Sequence, residues 1–92
     1  MTEAKLKIND IVGDIDNLRH MLGIASNIHK RDWGYRNYYN TSDGGPDCDS
    51  MKRLQELSLV RPGRHNYWHA TEQGCAVAGL DRKQTQRALN DE

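Results

Sequence analysis

Four kinds of side chain in this 92-residue chain could do chemistry: imidazoles, thiols, clustered carboxylates, and basic groups set among aromatic rings. His65 and His69, with Cys48 or Cys75, are the residue types that hold zinc, because neutral imidazole and thiolate are its usual ligands. Their spacing speaks against a metal site. The run His65-Asn-Tyr-Trp-His69 reads as a strand, on which residues four apart share a face but stand roughly 13 Å apart, too far to chelate together unless the strand turns. The cysteines lie outside any Cys-x-x-Cys spacing, and nothing at the N-terminus resembles a signal peptide or a spanning segment. They are expected to be reduced, mostly buried thiols in a cytoplasmic protein, rather than one disulfide in an exported protein. Asp43, Asp47 and Asp49 are better explained by turn and capping chemistry than by catalysis, and no Gly-rich phosphate loop, nucleophile elbow or His-Glu-x-x-His helix is present. The chain is therefore read as a non-enzymatic protein with no metal and no cofactor.

Recognition is what these residues leave open. Thirteen basic and thirteen acidic residues balance to zero, so no overall field draws the protein to nucleic acid or to a membrane, and any electrostatic footprint must be local. Counting Lys and Arg against Asp and Glu, residues 29–42 sum to +2, residues 43–50 to −3 and residues 51–70 to +3. The stretch His29-Lys30-Arg31-Asp32-Trp33-Gly34-Tyr35-Arg36 mixes cations with rings. That mixture suits base stacking, or a protein interface anchored by Lys30, Arg31, Trp33, Tyr35 and Arg36. The alternative is that Trp33 and Tyr35 are core and the charges merely solvate the loop, and at least one of the two rings is expected to be core. Tyr38 and Tyr39 point in different directions if extended, so one can be buried and the other exposed.

The elements that must position these groups follow from periodicity. Apolar residues at Ile8, Ile11, Val12, Ile15, Leu18, Met21, Leu22 and Ala25 line one face of a first helix, with Asn9 or Asp10 as its cap. Residues 26–46 have no sustained period and end in the turn-forming run from Asn40 to Pro46. Four aromatics make a solvated linker a poor description, so an ordered loop folded back on the core is expected, with room for a short helical turn. Cys48, Met51, Leu54 and Leu57 recur every three positions on a second helix that starts at Pro46 or Asp47 and ends near Ser58. Leu59-Val60-Arg61 is extended, Pro62-Gly63-Arg64 turns, and residues 66–70 return as a strand. Thr71 caps a last helix with an apolar edge at Ala76, Val77, Leu80 and Leu89. Residues 81–92 read as a frayed C-terminal tail. A single domain of this size buries a thin core, and with no Phe present the two Trp and four Tyr are expected to supply much of its area.

The run from Met51 to Arg61, with Leu54 and Leu57 followed by Ser58-Leu59-Val60, and then Tyr67-Trp68-His69-Ala70-Thr71-Glu72-Gln73-Gly74, resembles the C-terminal half of winged helix-turn-helix regulators. The family pattern is Leu-x-x-Leu, Gly-Leu-Val, a hairpin wing, an aromatic, and Thr-x-x-Gly. The resemblance implies a single α+β, winged-helix-like domain with a helical N-terminal half, a short β-hairpin wing and a C-terminal helix. Gly74 would let that helix approach the sheet closely. Two departures stand out: Ser58 occupies the place of the family's helix-ending Gly, and the aromatic loop replaces the compact second helix.

As a DNA-binding transcriptional regulator, the protein would turn Lys52 and Arg53 to the major groove or its phosphates and Arg61 and Arg64 to the backbone or minor groove. The same four residues also read as a solvated, mixed-charge surface. Asp47 and Asp49, at the helix N-terminus that usually enters the groove, would repel phosphate. The N-terminal half, with His20-Met-Leu-Gly-Ile and Tyr35-Arg-Asn-Tyr-Tyr, is similar to small proteins of bacteriophages and prophages. That implies a host-takeover or phage-regulatory setting for either function, and the missing second helix and zero net charge favour the second expectation: a protein-protein interaction module, an inhibitor or adaptor of a host complex, that uses the winged scaffold and binds through the aromatic loop.

Overall fold

The computed structural model describes residues 8–41 and 45–91, with side chains from Val12 onward. Helix α1 spans Ile8–Met21, a 3-10 turn spans Lys30–Asp32, and strand β1 spans Tyr39–Asn40. Then come α2 (Pro46–Glu56), β2 (Val60–Pro62), β3 (Tyr67–Ala70), α3 (Glu72–Ala78) and α4 (Arg82–Asn90). The fold is α+β: among the described residues, four helices pack on a small antiparallel sheet of order β1-β3-β2. Asp43 and the side chains of Ile8 and Ile11, which the sequence placed in a turn and on the α1 face, lie outside the described residues.

Helix α1 is already formed at Ile8, one or two residues before its expected cap, so Asn9 and Asp10 are helical, and it ends at Met21 rather than Ala25. It presents Asp14, Leu18 and Met21 to the interior, one residue per turn. Val12, expected on that face, is exposed. Three helices close in the same way. After α1, Gly23 N–H donates to the His20 carbonyl and Ile24 N–H to the Arg19 carbonyl, at 3.0 Å each. After α2, Ser58 donates to Gln55 and Leu59 to Leu54; after α3, Gly79 donates to Ala76 and Leu80 to Cys75. Each is a Schellman turn, and each delivers a buried aliphatic residue, Ile24, Leu59 or Leu80, to the core. Two turns use Gly in the left-handed region; the middle one forces Ser58 there, at φ 64°. The cap at Ser58 is thus a Schellman cap with a residue less suited to it than Gly.

The end of α2 corrects one expectation. Met51 and Leu54 are fully buried, but Leu57 is 43% exposed, because the helix stops at Glu56 and the turn hands its place in the core to Leu59. Ser50, not Cys48, completes the buried face.

β2 and β3 form the hairpin, with Val60 opposite Ala70 and Pro62 opposite Trp68. Its reversal lies further along than Pro62-Gly63-Arg64. Tyr67 N–H donates to the Arg64 carbonyl, and the two residues between, His65 and Asn66, both have positive φ, as a type I′ turn requires. β1 adds to the other edge of β3, pairing Tyr39 with Trp68. A two-residue strand has no alternation to read, so this third strand was not legible in the loop.

Thr71 caps α3 by accepting from Gly74 N–H at 3.1 Å, as expected. Gly74 is the contact point: a Cβ there would overlap the Leu59 carbonyl oxygen. The buried edge of α3 is Gly74, Cys75 and Ala78, whereas Ala76 and Val77, expected to be apolar contacts, face outward. In place of a frayed tail, residues 82–90 form α4. Asp81 accepts from Gln84 N–H and Gln84 Oε1 accepts from Asp81 N–H, both at 2.8 Å, a reciprocal capping box that starts a second C-terminal helix. Ala88 and Thr85 anchor it.

The core is aliphatic where aromatics were expected: Leu18, Met21, Leu22, Met51, Leu54 and Cys75 are fully buried, and Trp68 is the buried aromatic. Trp33 and Tyr39 pack against its edge. Tyr35, Tyr38 and Tyr67 stay 41–48% exposed. No described helix is long and apolar enough to cross a membrane.

Candidate interaction surface

The aromatic loop between α1 and α2 is ordered by hydrogen bonds at both ends and its middle. Gly34 N–H donates to Leu22 O at 2.8 Å, and Gln84 of α4 donates its side-chain amide to Lys30 O at 2.8 Å. Asn37, fully buried, behaves as an extra strand residue made from a side chain. Its Oδ1 accepts from Ala70 N–H at 2.6 Å and its Nδ2 donates to Ala70 O at 3.1 Å, while its own N–H donates to Asp91 Oδ2 at 2.9 Å. His69 Nδ1 lies 2.8 Å from Asn37 O; a carbonyl only accepts, so Nδ1 carries the hydrogen. Sequence reading passed over Asn37, because its partners lie 33 and 54 residues away.

With the loop so held, its rings and cations meet. Trp33 Nε1 donates to Ile28 O at 3.2 Å, and the Trp33 ring lies under Arg19 and Lys30, 5.7 and 5.9 Å from its centroid. Arg36 sits over both Tyr35 and Tyr38, at 5.5 and 5.9 Å, and donates through Nη2 to His20 O at 2.7 Å. Tyr38 meets Tyr67 of β3 edge to face, with centroids 6.1 Å apart. A cleft of about 230 Å³ lies on the Tyr35 side of this stack, against His20 and Gly23, and one of about 310 Å³ on the other, walled by Tyr38, Tyr67 and His69. Trp33 is thus the ring that joins the core and Tyr35 the one that does not; Tyr39 is half-buried and Tyr38 exposed, matching the division expected of each pair. Tyr39 also faces Asp47: burial first, then that carboxylate's charge and hydrogen bond, raise its pKa above the ordinary phenol value.

The four residues assigned to DNA do not form one surface group. Arg53 turns inward. Its Nε donates to Asp14 Oδ2 at 2.7 Å and its Nη2 to Asp14 Oδ1 at 2.8 Å, while Ser50 Oγ donates to the same Oδ1 at 2.6 Å and accepts from Asn17 at 3.0 Å. Asp14 is 2% exposed, so this bidentate pair ties α1 to α2. Burial pushes the Asp14 carboxyl up, but the Arg53 and Ser50 hydrogen bonds and the Arg53 charge outweigh it, and its pKa falls below the ordinary value. Its place on the stripe with Leu18 and Met21 is a signal that could have marked Asp14 as buried and paired. Lys52 remains exposed on α2, but Asp49 and Glu56 are exposed on the same side of the helix, and Asp47 is exposed at its start. Arg61 and Arg64 are exposed on the hairpin, with Arg64 at the first position of the turn and His65-Asn66 at its tip.

Both thiols are free; Cys75 is buried and Cys48 half-buried. Burial, and then the Glu72 charge, push the Cys75 thiol up to about 11. His65 and His69 face no shared site: among the described residues, no group of three or more His, Cys, Asp or Glu stands where it could hold a metal ion. Compared with known proteins, the chain matches no family model, no curated protein and no solved structure.

Proposed function

We propose that the protein is a non-enzymatic interaction module that binds a protein partner through the aromatic loop, on a winged-helix-like scaffold. The observation that carries this reading is the exposed stack of Tyr35, Arg36 and Tyr38, continued by Tyr67 and flanked by two clefts. Tyr and Arg are the residues that anchor protein interfaces, and here they are held in place before any partner arrives. The order of helix, hairpin and Thr71-capped helix supports the scaffold reading, and the resemblance of the N-terminal half to phage proteins points to a host protein as the partner.

A second reading, a DNA-binding regulator, draws support from the hairpin, where Arg61 and Arg64 are exposed beside a tight tip. It is the weaker one. The exposed face of α2 is net acidic, and Arg53 is already held by Asp14. One experiment separates them: capture from a bacterial lysate on the immobilised full chain, beside duplex DNA titrations at low salt. Interaction through the loop predicts capture that is lost in Tyr35→Ala/Tyr38→Ala and kept in Arg61→Ala/Arg64→Ala. The opposite pattern, with salt-sensitive duplex binding lost in the hairpin variant, would replace the first reading by the second.

A further inference from the structure

We infer that the partner presents an acidic stretch of polypeptide to this loop, an inference that rests on the interaction reading above. Cations that lie far apart in sequence are gathered here by the fold. Arg19 of α1 and Lys30 of the 3-10 turn flank Trp33, Arg36 covers the two tyrosines, and Arg87 of α4 donates to the backbone carbonyl of Arg31 at 3.1 Å. Against these five stand Asp32 in the same stretch and Asp91, which lines the cleft beside Tyr38 and accepts from Asn37 N–H. Among the described residues, none of Arg19, Lys30, Arg31, Arg36 and Arg87 has a carboxylate within ion-pair distance. The contrast with Arg53 is direct: that half-buried cation is paired with the buried Asp14, and the gathered cations have no such carboxylate among the described residues. Converging like charges repel one another, and an anionic partner removes that repulsion while gaining the complementary field.

Two kinds of anion, a nucleic acid and an acidic peptide, have that charge. Single-stranded nucleic acid binds such surfaces by laying bases on open aromatic faces. Here Trp33 has two cations over it and Arg36 covers one face of both Tyr35 and Tyr38, which leaves fewer open faces for bases. A carboxylate needs only N–H donors, which the exposed Lys30 and Arg31 side chains supply, and the clefts on either side of the Tyr35–Tyr38 stack have the size to take single apolar side chains of an extended peptide.

The test uses the full chain and fluorescence anisotropy with three labelled probes: a Glu/Leu peptide, its Gln/Leu counterpart and oligo(dT). The Glu/Leu peptide is expected to bind at low salt, to weaken as salt rises, and to exceed the Gln/Leu peptide by about tenfold or more. Lys30→Glu/Arg31→Glu should abolish the difference. Only the backbone carbonyls of these two residues bond to α4, so the fold should persist, as circular dichroism would verify. Equal binding of both peptides, binding of neither, or tighter binding of oligo(dT) would overturn the inference. Lysate capture that survives the charge reversal but not Tyr35→Ala/Tyr38→Ala would sink the acidic partner and leave the interaction reading standing; capture indifferent to both variants would sink the loop as the binding surface.

Discussion

Arg53 offers the sharpest quantitative test, because truncating it should cost stability rather than binding. Asp14, almost wholly buried, is held by two hydrogen bonds from Arg53 at 2.7 and 2.8 Å and one from Ser50 at 2.6 Å. Arg53→Ala leaves a carboxylate where water does not reach, with Ser50 as its remaining donor. Stranding a buried charge costs about 3–5 kcal/mol, and with Ser50 still present and the Arg53 side chain 32% exposed the lower end applies, about 3 kcal/mol. For a domain this size that lowers Tm by roughly 12–24 °C.

The reverse truncation, Asp14→Asn, frees a guanidinium that can reach solvent and should cost only about 1–2 kcal/mol. The double variant should recover about 1–3 kcal/mol relative to the sum of the singles. The pH dependence has a definite sign. The folded carboxyl has a lowered pKa, so its contribution is complete above the unfolded value of about 3.9 and is lost as pH falls through the lower folded value. In Arg53→Ala, burial dominates and favours the neutral acid, so the deficit relative to the parent should shrink on going from neutral pH to below about pH 4. Urea unfolding followed by circular dichroism at two pH values measures all of this. An Arg53→Ala loss within about 0.5 kcal/mol at neutral pH, the range of ordinary surface substitutions, would show that the pair does not hold α1 to α2.

Ser58→Gly should stabilise the protein by about 0.5–1 kcal/mol, since a left-handed L-residue costs about 1–2 kcal/mol and Gly returns part of that as unfolded-state entropy; unchanged or lower Tm would contradict the strain read from its φ. Gly74→Ala, in contrast, drives a methyl into the Leu59 carbonyl and should lower stability by about 1–3 kcal/mol, measured by the same unfolding curves. Iodoacetamide near pH 8 should label half-buried Cys48 well before Cys75, whose thiol is buried and titrates near 11, as peptide mass mapping would show; equal rates would place Cys75 at the surface.

What local sequence can carry, it carried: the second helix from its Pro46 start, the β2–β3 hairpin and the Thr71 cap. Each depends on residues within a few positions of one another, where backbone sterics, capping bonds and periodicity act. Even α4 was within reach of that logic, since Asp81 and Gln84 form a capping box three residues apart, but a polar surface hid it behind the expectation of a frayed tail. Other features existed only once the chain had folded. Arg53 and Lys52 are adjacent in sequence and equally basic, yet one is spent on Asp14, 39 positions earlier, and the other faces outward. β1 forms because Tyr39 and Asn40 meet β3, and Asn37 is buried because Ala70 and Asp91 arrive to satisfy it. The cationic, aromatic face is assembled from residues 19, 30, 31, 36 and 87, which net charge averages away to zero. Periodicity reports which side of an element is apolar; which charge finds a partner, and which is left for another molecule, is decided by long-range packing.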